Sequence, residues 1–316
     1  MVVALQNHHS FKAGAALHDP SGADVLEFAL AERREGREAA VASLARVDGA
    51  SPRRIGAQMA VAEDGRFVGS ISSGCVERAI AAEAVAAMGA QHGRSLRYGA
   101  GSPFRDIILP CGSGIDILVS TPLDADVLGA ALDALNARRP AALDFVADGC
   151  AAAHGEPASG TLRRAYVPRT RLVIAGVGAE TVVLSRMAEI AGMEVHVMPP
   201  EDETLERAAG VRTALRSTAQ TDLPTLDPWS AFVLLFHDRD WETPLAAEAL
   251  KTDAFFTGAV GGARTHAMRR EALKLAGVPE GRLDRLRGPI GLVPSTRDPS
   301  ALAVSILAEI VAEQPA

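Results

Sequence analysis

The chain has 316 residues, 48% of them hydrophobic and 22% charged, an ordinary globular mix long enough for two domains of ~100–200 residues each. Thirty-two Lys and Arg against 39 Asp and Glu give a formal net charge of -7, which argues against tracking of a polyphosphate backbone. No apolar run approaches the ~20 residues of a membrane span, and three cysteines, an odd number, fit a reducing compartment better than a disulfide framework.

Residues 1–20 are polar, carry His8, His9 and His18, and show no period, so they read as a flexible tail. They have neither the charged start nor the apolar stretch of an export signal, and the expected location is the cytoplasm. A helix is expected from Ser21, with Asp24 completing an approximate capping box, Val25, Leu26, Ala29 and Leu30 on one face, and Gly36 as its stop. Short β segments follow: Val41–Val47, then Ala57–Ala62 and Arg66–Ile71 around the hairpin turn Glu63-Asp64-Gly65. After Gly74 the period becomes helical through Val76, Ile80, Ala84 and Met88, with Gly89 expected just past the end. A strand at Ile115–Ser120 and a helix from Asp124 to Arg138 come next, and Cys150–Gly160 reads as a loop.

A domain boundary is expected near Pro168, dividing residues 21–168 from 169–316. The second half alternates strand and helix. Leu172–Ala175, Glu194–Met198, Ala231–Phe236 and Phe255–Ala259 read as strands. Thr181–Ala191, Pro244–Leu250, Thr265–Ala276 and Ser300–Ala312 read as helices. Continuous apolar strands between helices predict an α/β fold with a parallel sheet covered on both faces.

Gly69-Ser-Ile-Ser-Ser-Gly-Cys75-Val-Glu77 carries the most chemical information. A strand ends in a Gly/Ser turn and places Cys75 beside a helix N-terminus, where backbone N–H groups and the helix dipole favour negative charge. Such a setting favours a thiolate as nucleophile or soft-metal ligand, and the same amides suit a phosphate or oxo-anion. The segment fits equally a small buried cysteine in a tight turn. Pro110-Cys111-Gly-Ser-Gly114 is a second small-residue loop with a cysteine, and Arg53, Arg54 and Arg105 are available to balance anionic charge near the two. Cys111 also fits a small residue at a strand entry, and Cys150 has no assigned role.

Gly176-Val-Gly178-Ala-Glu-Thr181 follows a strand and opens a helix, the setting of a dinucleotide fingerprint. The match is incomplete: Thr181 holds the third glycine position, Glu180 sets a negative charge by the pyrophosphate, and Pro199 stands where a ribose-binding acid belongs. Tight NAD(P) binding is therefore disfavoured. In a parallel sheet the loops His237-Asp238-Arg239-Asp240 and Gly261-Gly262-Ala263-Arg264 share the same crevice. His237 suits a general acid or an anion donor. Asp240 as a helix cap and Arg264 as a surface cation are the plainer alternatives.

With these residues in view, the chain resembles the XdhC/CoxI family of accessory proteins for xanthine dehydrogenase and related molybdenum hydroxylases. Ser51-Pro-Arg-Arg-Ile-Gly56 together with Gly69–Glu77 is similar to the family's amino-terminal motif, and Leu172–Gly178 to its Rossmann opening. Gly288-Pro-Ile-Gly-Leu292 with Leu302–Ile310 is similar to its carboxyl-terminal signature. The resemblance implies an XdhC/CoxI-type domain followed by a Rossmann-like domain, usually in a homodimer. It implies a chaperone, rather than a stand-alone catalyst, that binds the molybdenum cofactor (molybdopterin), aids its sulfuration and delivers it to an apo-hydroxylase. The family cysteines map to Cys75, a possible molybdenum contact, and to Cys111.

Gly69, Ser72, Ser73 and Gly74 are the expected cofactor-binding residues around Cys75, and Gly176, Gly178, His237, Asp238, Gly261 and Arg264 those of the crevice. A cysteine desulfurase is an expected partner. Several positions depart from the family pattern: Ser73 for glycine, Pro110 and Ser113 in the second cysteine loop, Ala179 for histidine, Phe236 for threonine, and Val293-Pro-Ser295 for Asp-Ile-Gly. Two other functions stay open, an NAD(P)-dependent oxidoreductase with His237 as proton donor and a protein–protein adaptor without a ligand.

Overall fold

The computed structural model describes residues 22–103 and 112–315, and the chain divides into two compact units between Pro168 and Arg169. His8, His9, His18, Arg105 and Cys111 lie outside the described residues.

The first unit runs through α1 (Gly22–Arg34), β1 (Ala39–Asp48), β2 (Gln58–Ala62), β3 (Phe67–Gly69), α2 (Glu77–Gly89), β4 (Arg94–Gly99), β5 (Gly114–Ser120), α3 (Ala125–Asn136), β6 (Ala141–Val146), β7 (Gly149–Ala152) and β8 (Leu162–Tyr166). Its main sheet has the order β3-β2-β1-β5-β4, and each of these pairings is antiparallel. The two-residue period of β1 divides its small side chains between two cores. Ala40, Ala42 and Leu44 face Val76, Ile80, Ala84 and Met88 around α2. Ala39 and Val41 face Val25, Leu26 and Leu128 around α1 and α3.

Register fixes where the loops emerge. Met59 pairs with Gly69, and Gly114 pairs with both Asp48 and Gly99. The end of β1, the start of β2, the end of β3, the end of β4 and the start of β5 therefore share one end of the sheet. Arg53, Arg54 and the Cys75 turn leave from that end.

Several expectations need correction here. Gly89 is the last helical residue, Ala90 caps the helix, and Gln91 takes the left-handed conformation at φ 54. Cys150 is in a strand, not a loop, because β7 pairs with β6 in a separate three-stranded sheet of order β7-β6-β8. β4 is a further strand not anticipated, with Leu96 and Tyr98 buried and Arg97 between them on the other face.

The second unit comprises β9 (Arg171–Gly176), α4 (Gly178–Ile190), β10 (Glu194–Met198), α5 (Asp202–Arg207), β11 (Val211–Arg212), β12 (Ser230–Leu235), α6 (Arg239–Ala249), β13 (Phe256–Ala259), α7 (Ala263–Leu275), α8 (Glu280–Leu283), β14 (Leu286–Arg287) and α9 (Pro299–Glu313). Its sheet has the order β11-β10-β9-β12-β13-β14, parallel throughout. Val173, Ala175, Phe232 and Leu234 pack with Leu245, Ala246 and Leu273 on one face. Leu172, Ile174, Ala231 and Val233 pack with Leu184, Ala188, Ile306 and Ile310 on the other. The fold is α/β, as the alternating strands and helices imply. The strand order runs outward in opposite directions from β9 and β12, so their carboxyl ends bound the ligand crevice of such sheets. No helix among the described residues is long and apolar enough to cross a membrane.

Candidate functional site

The turn between β3 and α2 is built around a carboxylate. Glu77, the first residue of α2, is 5% exposed. Its Oε1 accepts from Ser70 Oγ at 2.8 Å, Ile71 N at 3.1 Å and Ser72 N at 2.7 Å. Its Oε2 accepts from Ser72 Oγ at 2.5 Å, Gly74 N at 2.9 Å and Val76 N at 3.2 Å. Burial pushes this carboxyl up, but the Ser72 hydroxyl and N–H and the Ser70 hydroxyl outweigh it and bring it down to about 2. A carboxylate receiving several hydrogen bonds in a buried site is held ionised in this way.

Above the carboxylate, Ser73, Gly74 and Cys75 form an exposed tip between the buried residues Ser72 and Val76. Ser73 has φ 59 and Gly74 φ 107, and an added Cβ at Gly74 would meet nothing within 4 Å. Cys75 is a free, exposed thiol, so the reading as a buried structural cysteine does not hold.

The expected amide cradle for an external anion is corrected by these contacts. The N–H groups of Ser72 and Gly74 point at Glu77, and that of Ser73 donates to Ser70 Oγ at 3.1 Å. Gly69 serves the fold: a Cβ there would lie 2.3 Å from Gln58 O and 2.9 Å from Met59 Cα. Glu77 is the residue that sequence reasoning missed. An acid in the first helical turn just after a Gly/Ser run is the signal that could have found it.

In the second unit the three crevice loops leave from the same end of the parallel sheet. Val177 N donates to Leu235 O, and Val260 N to Leu234 O. The glycine turn is closed by its own chain. Gly178 N donates to Thr204 Oγ1 at 2.9 Å, and that hydroxyl donates to Glu201 at 3.2 Å. Thr181 is buried and bonds Val177 O at 3.1 Å. A Cβ on Gly176 would lie 2.6 Å from Leu235 Cβ and 2.7 Å from Thr181 Oγ1, so this glycine serves close strand–helix approach.

His237 is exposed. Asp238 is the N-cap of α6, its side chain accepting from Asp240 N at 2.9 Å. That corrects the alternative in which Asp240 caps the helix. Arg264 is exposed in the first turn of α7, whose N-cap Gly262 supplies no side-chain hydrogen bond. Gly261 has φ 123 and sits over the buried Arg269. Burial, with Arg269 and Arg270 nearby, pushes the His266 imidazole below its usual value. Among the described residues no group of three or more His, Cys, Asp or Glu gathers to hold a metal ion.

Residues 172–310 match the family model of the XdhC Rossmann domain, and residues 32–99 match that of the XdhC and CoxI family. The chain is 33% identical over 311 residues to the molybdenum cofactor insertion chaperone PaoD of Escherichia coli (strain K12), covering 96% of this chain and 92% of that protein. It is 24% identical over 282 residues to the uncharacterized protein YqeB of the same organism, covering 86% of this chain and 43% of that one. A crystal structure described as a xanthine dehydrogenase from Bacillus halodurans shares the fold, with a TM-score of 0.73 at 21% identity over 92% of this chain and 95% of that one.

Proposed function

The chain belongs to the XdhC and CoxI family, and we propose that it is a chaperone that carries the molybdenum cofactor as cargo to an apo molybdenum hydroxylase. The observation that carries this reading is the exposed Cys75 thiol on a tip held from below by Glu77. Thiolates are suited to soft metal centres, and an exposed tip lets a bulky cargo approach and leave. The identity to a protein named as a molybdenum cofactor insertion chaperone supports the cargo.

In this proposal Cys75 contacts the molybdenum centre, and Ser73 and Gly74 leave open space beside it. The N–H groups of Ile71, Ser72, Ser73 and Gly74 are taken by Glu77 and Ser70, so the proposal gives them no part in holding the cargo's phosphate. The client is of the xanthine dehydrogenase type, a cysteine desulfurase supplies sulfur while the cargo is held, and the chaperone acts as a homodimer in the cytoplasm. The closure of Gly178 N–H by Thr204 favours this reading over an NAD(P)-dependent oxidoreductase.

Purification from a host that makes the cofactor tests the proposal. Molybdenum by elemental analysis should accompany pterin fluorescence in the parent and fall away in Cys75→Ser. The Cys75→Ser protein should also fail to restore activity to a client from a strain lacking the chaperone. Stoichiometric nucleotide without molybdenum would favour the oxidoreductase, and full rescue by Cys75→Ser would discard the thiol as the contact.

A further inference from the structure

We infer that Glu77 is the positioning residue of this site, an internal anion that fills the turn's own anion-binding cradle and holds Ser73, Gly74 and Cys75 outward. The inference rests on the reading of Cys75 as the functional thiol. Gly/Ser turns at helix starts converge backbone N–H groups on a point where an external anion usually sits. Here four N–H groups or hydroxyls from Ser70, Ile71 and Ser72 and two N–H groups from Gly74 and Val76 converge instead on one side chain of the same chain.

The backbone on both sides of Cys75 is thereby fixed to a single carboxylate. The network extends one step further, because Ser70 Oγ accepts from Ser73 N at 3.1 Å and Ser72 Oγ from Val76 N at 3.0 Å. All the groups facing Glu77 are donors, so the position calls for an acceptor-only side chain. Glutamine would turn an N–H₂ group toward donors. Aspartate is shorter by one methylene, about 1.5 Å of reach. With the cradle filled from inside, the turn selects cargo through the thiol and not through phosphate.

The test uses the full chain as the parent and the Glu77→Gln, Glu77→Ala and Ser70→Ala variants, read by hydrogen exchange and mass spectrometry. In Glu77→Gln, peptides spanning residues 70–77 should exchange at least ~10-fold faster, because charge-assisted bonds are lost, while peptides spanning 39–48 are unchanged. Ser70→Ala, which removes one donor, should give a smaller acceleration of the same segment. Formate should slow exchange across 70–77 in Glu77→Ala and leave the parent unaffected, a chemical rescue that a merely space-filling residue would not show.

Molybdenum retention should fall in Glu77→Gln although its Cys75 still alkylates. Parent-like exchange in Glu77→Gln, or no effect of formate on Glu77→Ala, would overturn the inference. So would full molybdenum retention by Glu77→Gln where Cys75→Ser loses it. Retention of molybdenum by Cys75→Ser would instead reject the cargo reading itself.

Discussion

Glu242 and Arg269 meet at 2.7 Å with side chains 4% and 2% exposed, an ion pair closed off from solvent between α6 and α7. Arg269 also donates to Val260 O at 2.6 Å, so the pair ties both helices to the end of β13, where the Gly261 loop begins. Such a pair recovers its desolvation penalty only while both partners are present. Arg269→Met should destabilise the second unit by about 3–5 kcal/mol, because it strands a buried carboxylate. Replacing both residues by apolar side chains should be milder than either single change. Both of the chain's tryptophans, Trp229 and Trp241, lie in this unit, so fluorescence-monitored denaturation reads it directly. A cost below about 1 kcal/mol for Arg269→Met would show that water reaches the pair.

The tip that carries Cys75 makes a second, opposite prediction. Ser73 sits at φ 59, a conformation disfavoured for residues with a Cβ. Ser73→Gly, which removes the Cβ, should be neutral or stabilising by up to about 1 kcal/mol despite glycine's greater unfolded-state entropy. Gly74→Ala at φ 107 should be destabilising by about 1 kcal/mol or more, although the space around it is open. Thermal unfolding of the two variants separates these expectations. A less stable Ser73→Gly protein would mean that the serine makes a contact worth more than its strain.

Much of this architecture was legible in the sequence, and what was not has physical reasons. The apolar runs of β9, β12 and β13 announce themselves because burial on both faces leaves few polar positions, and Glu194–Met198 does so by alternation, with Val195 and Val197 buried between Glu194 and His196. β4 was missed because its six residues carry only two buried apolar side chains, Leu96 and Tyr98, beside the more exposed Arg94, Ser95 and Arg97. β6, β7 and β8 were missed because a small sheet with one packed face carries only short stretches of pattern. At the site, the placement of Cys75 in a turn beside a helix start was readable, but its exposure and the direction of its neighbours' N–H groups were not. That direction depends on Glu77 folding back over the turn, a relation that spacing alone does not encode.

Acid should weaken the second unit through two histidines. Burial, then the Arg171 charge, lowers the His196 imidazole below its usual value, while its Nε2 meets Thr213 Oγ1 at 2.8 Å. His266 is lowered in the same direction. A lowered folded-state value means the unfolded chain takes up protons first as pH falls. The contribution is therefore complete above the unfolded value of about 6.5 and is lost as pH drops through the window below it. Tryptophan fluorescence should show a falling unfolding midpoint between about pH 7 and pH 5, with a shallower slope in the His196→Gln, His266→Gln double variant. Equal slopes would assign the acid sensitivity to other groups.

The two described cysteines should label very differently. Cys75 is exposed on the tip, whereas Cys150 is half-buried in β7. Burial, reinforced by the Asp124 charge and partly offset by an Asp124 backbone hydrogen bond, pushes the Cys150 thiol up to about 11. Iodoacetamide acts on thiolates, so at mildly alkaline pH the native protein should be modified at Cys75 well before Cys150. Peptide mapping over a time course checks the order. Preferential reaction at Cys150 would mean that β7 opens faster than the tip reacts.

Nucleotide binding in the crevice should be weak, and the reason lies in which donors remain. A dinucleotide fold presents the N–H at its second glycine to the pyrophosphate and leaves a third glycine small for close helix approach. In this chain Gly178 N–H is taken by Thr204 Oγ1 at 2.9 Å, and Thr181 fills the third position. Glu180 brings its carboxylate within 3.5 Å of where a Gly178 Cβ would stand, so an incoming pyrophosphate meets negative charge and a satisfied amide. Calorimetric titration with NADH should show no binding tighter than roughly millimolar, about -4 kcal/mol. Thr204→Ala with Glu180→Gln frees the amide and removes the charge, and should tighten binding several-fold if these two residues are the obstacle. Micromolar affinity in the parent would restore the oxidoreductase reading, with His237 then the first proton donor to substitute. Weak binding in the parent and no gain in the double variant would place the obstacle elsewhere in the crevice.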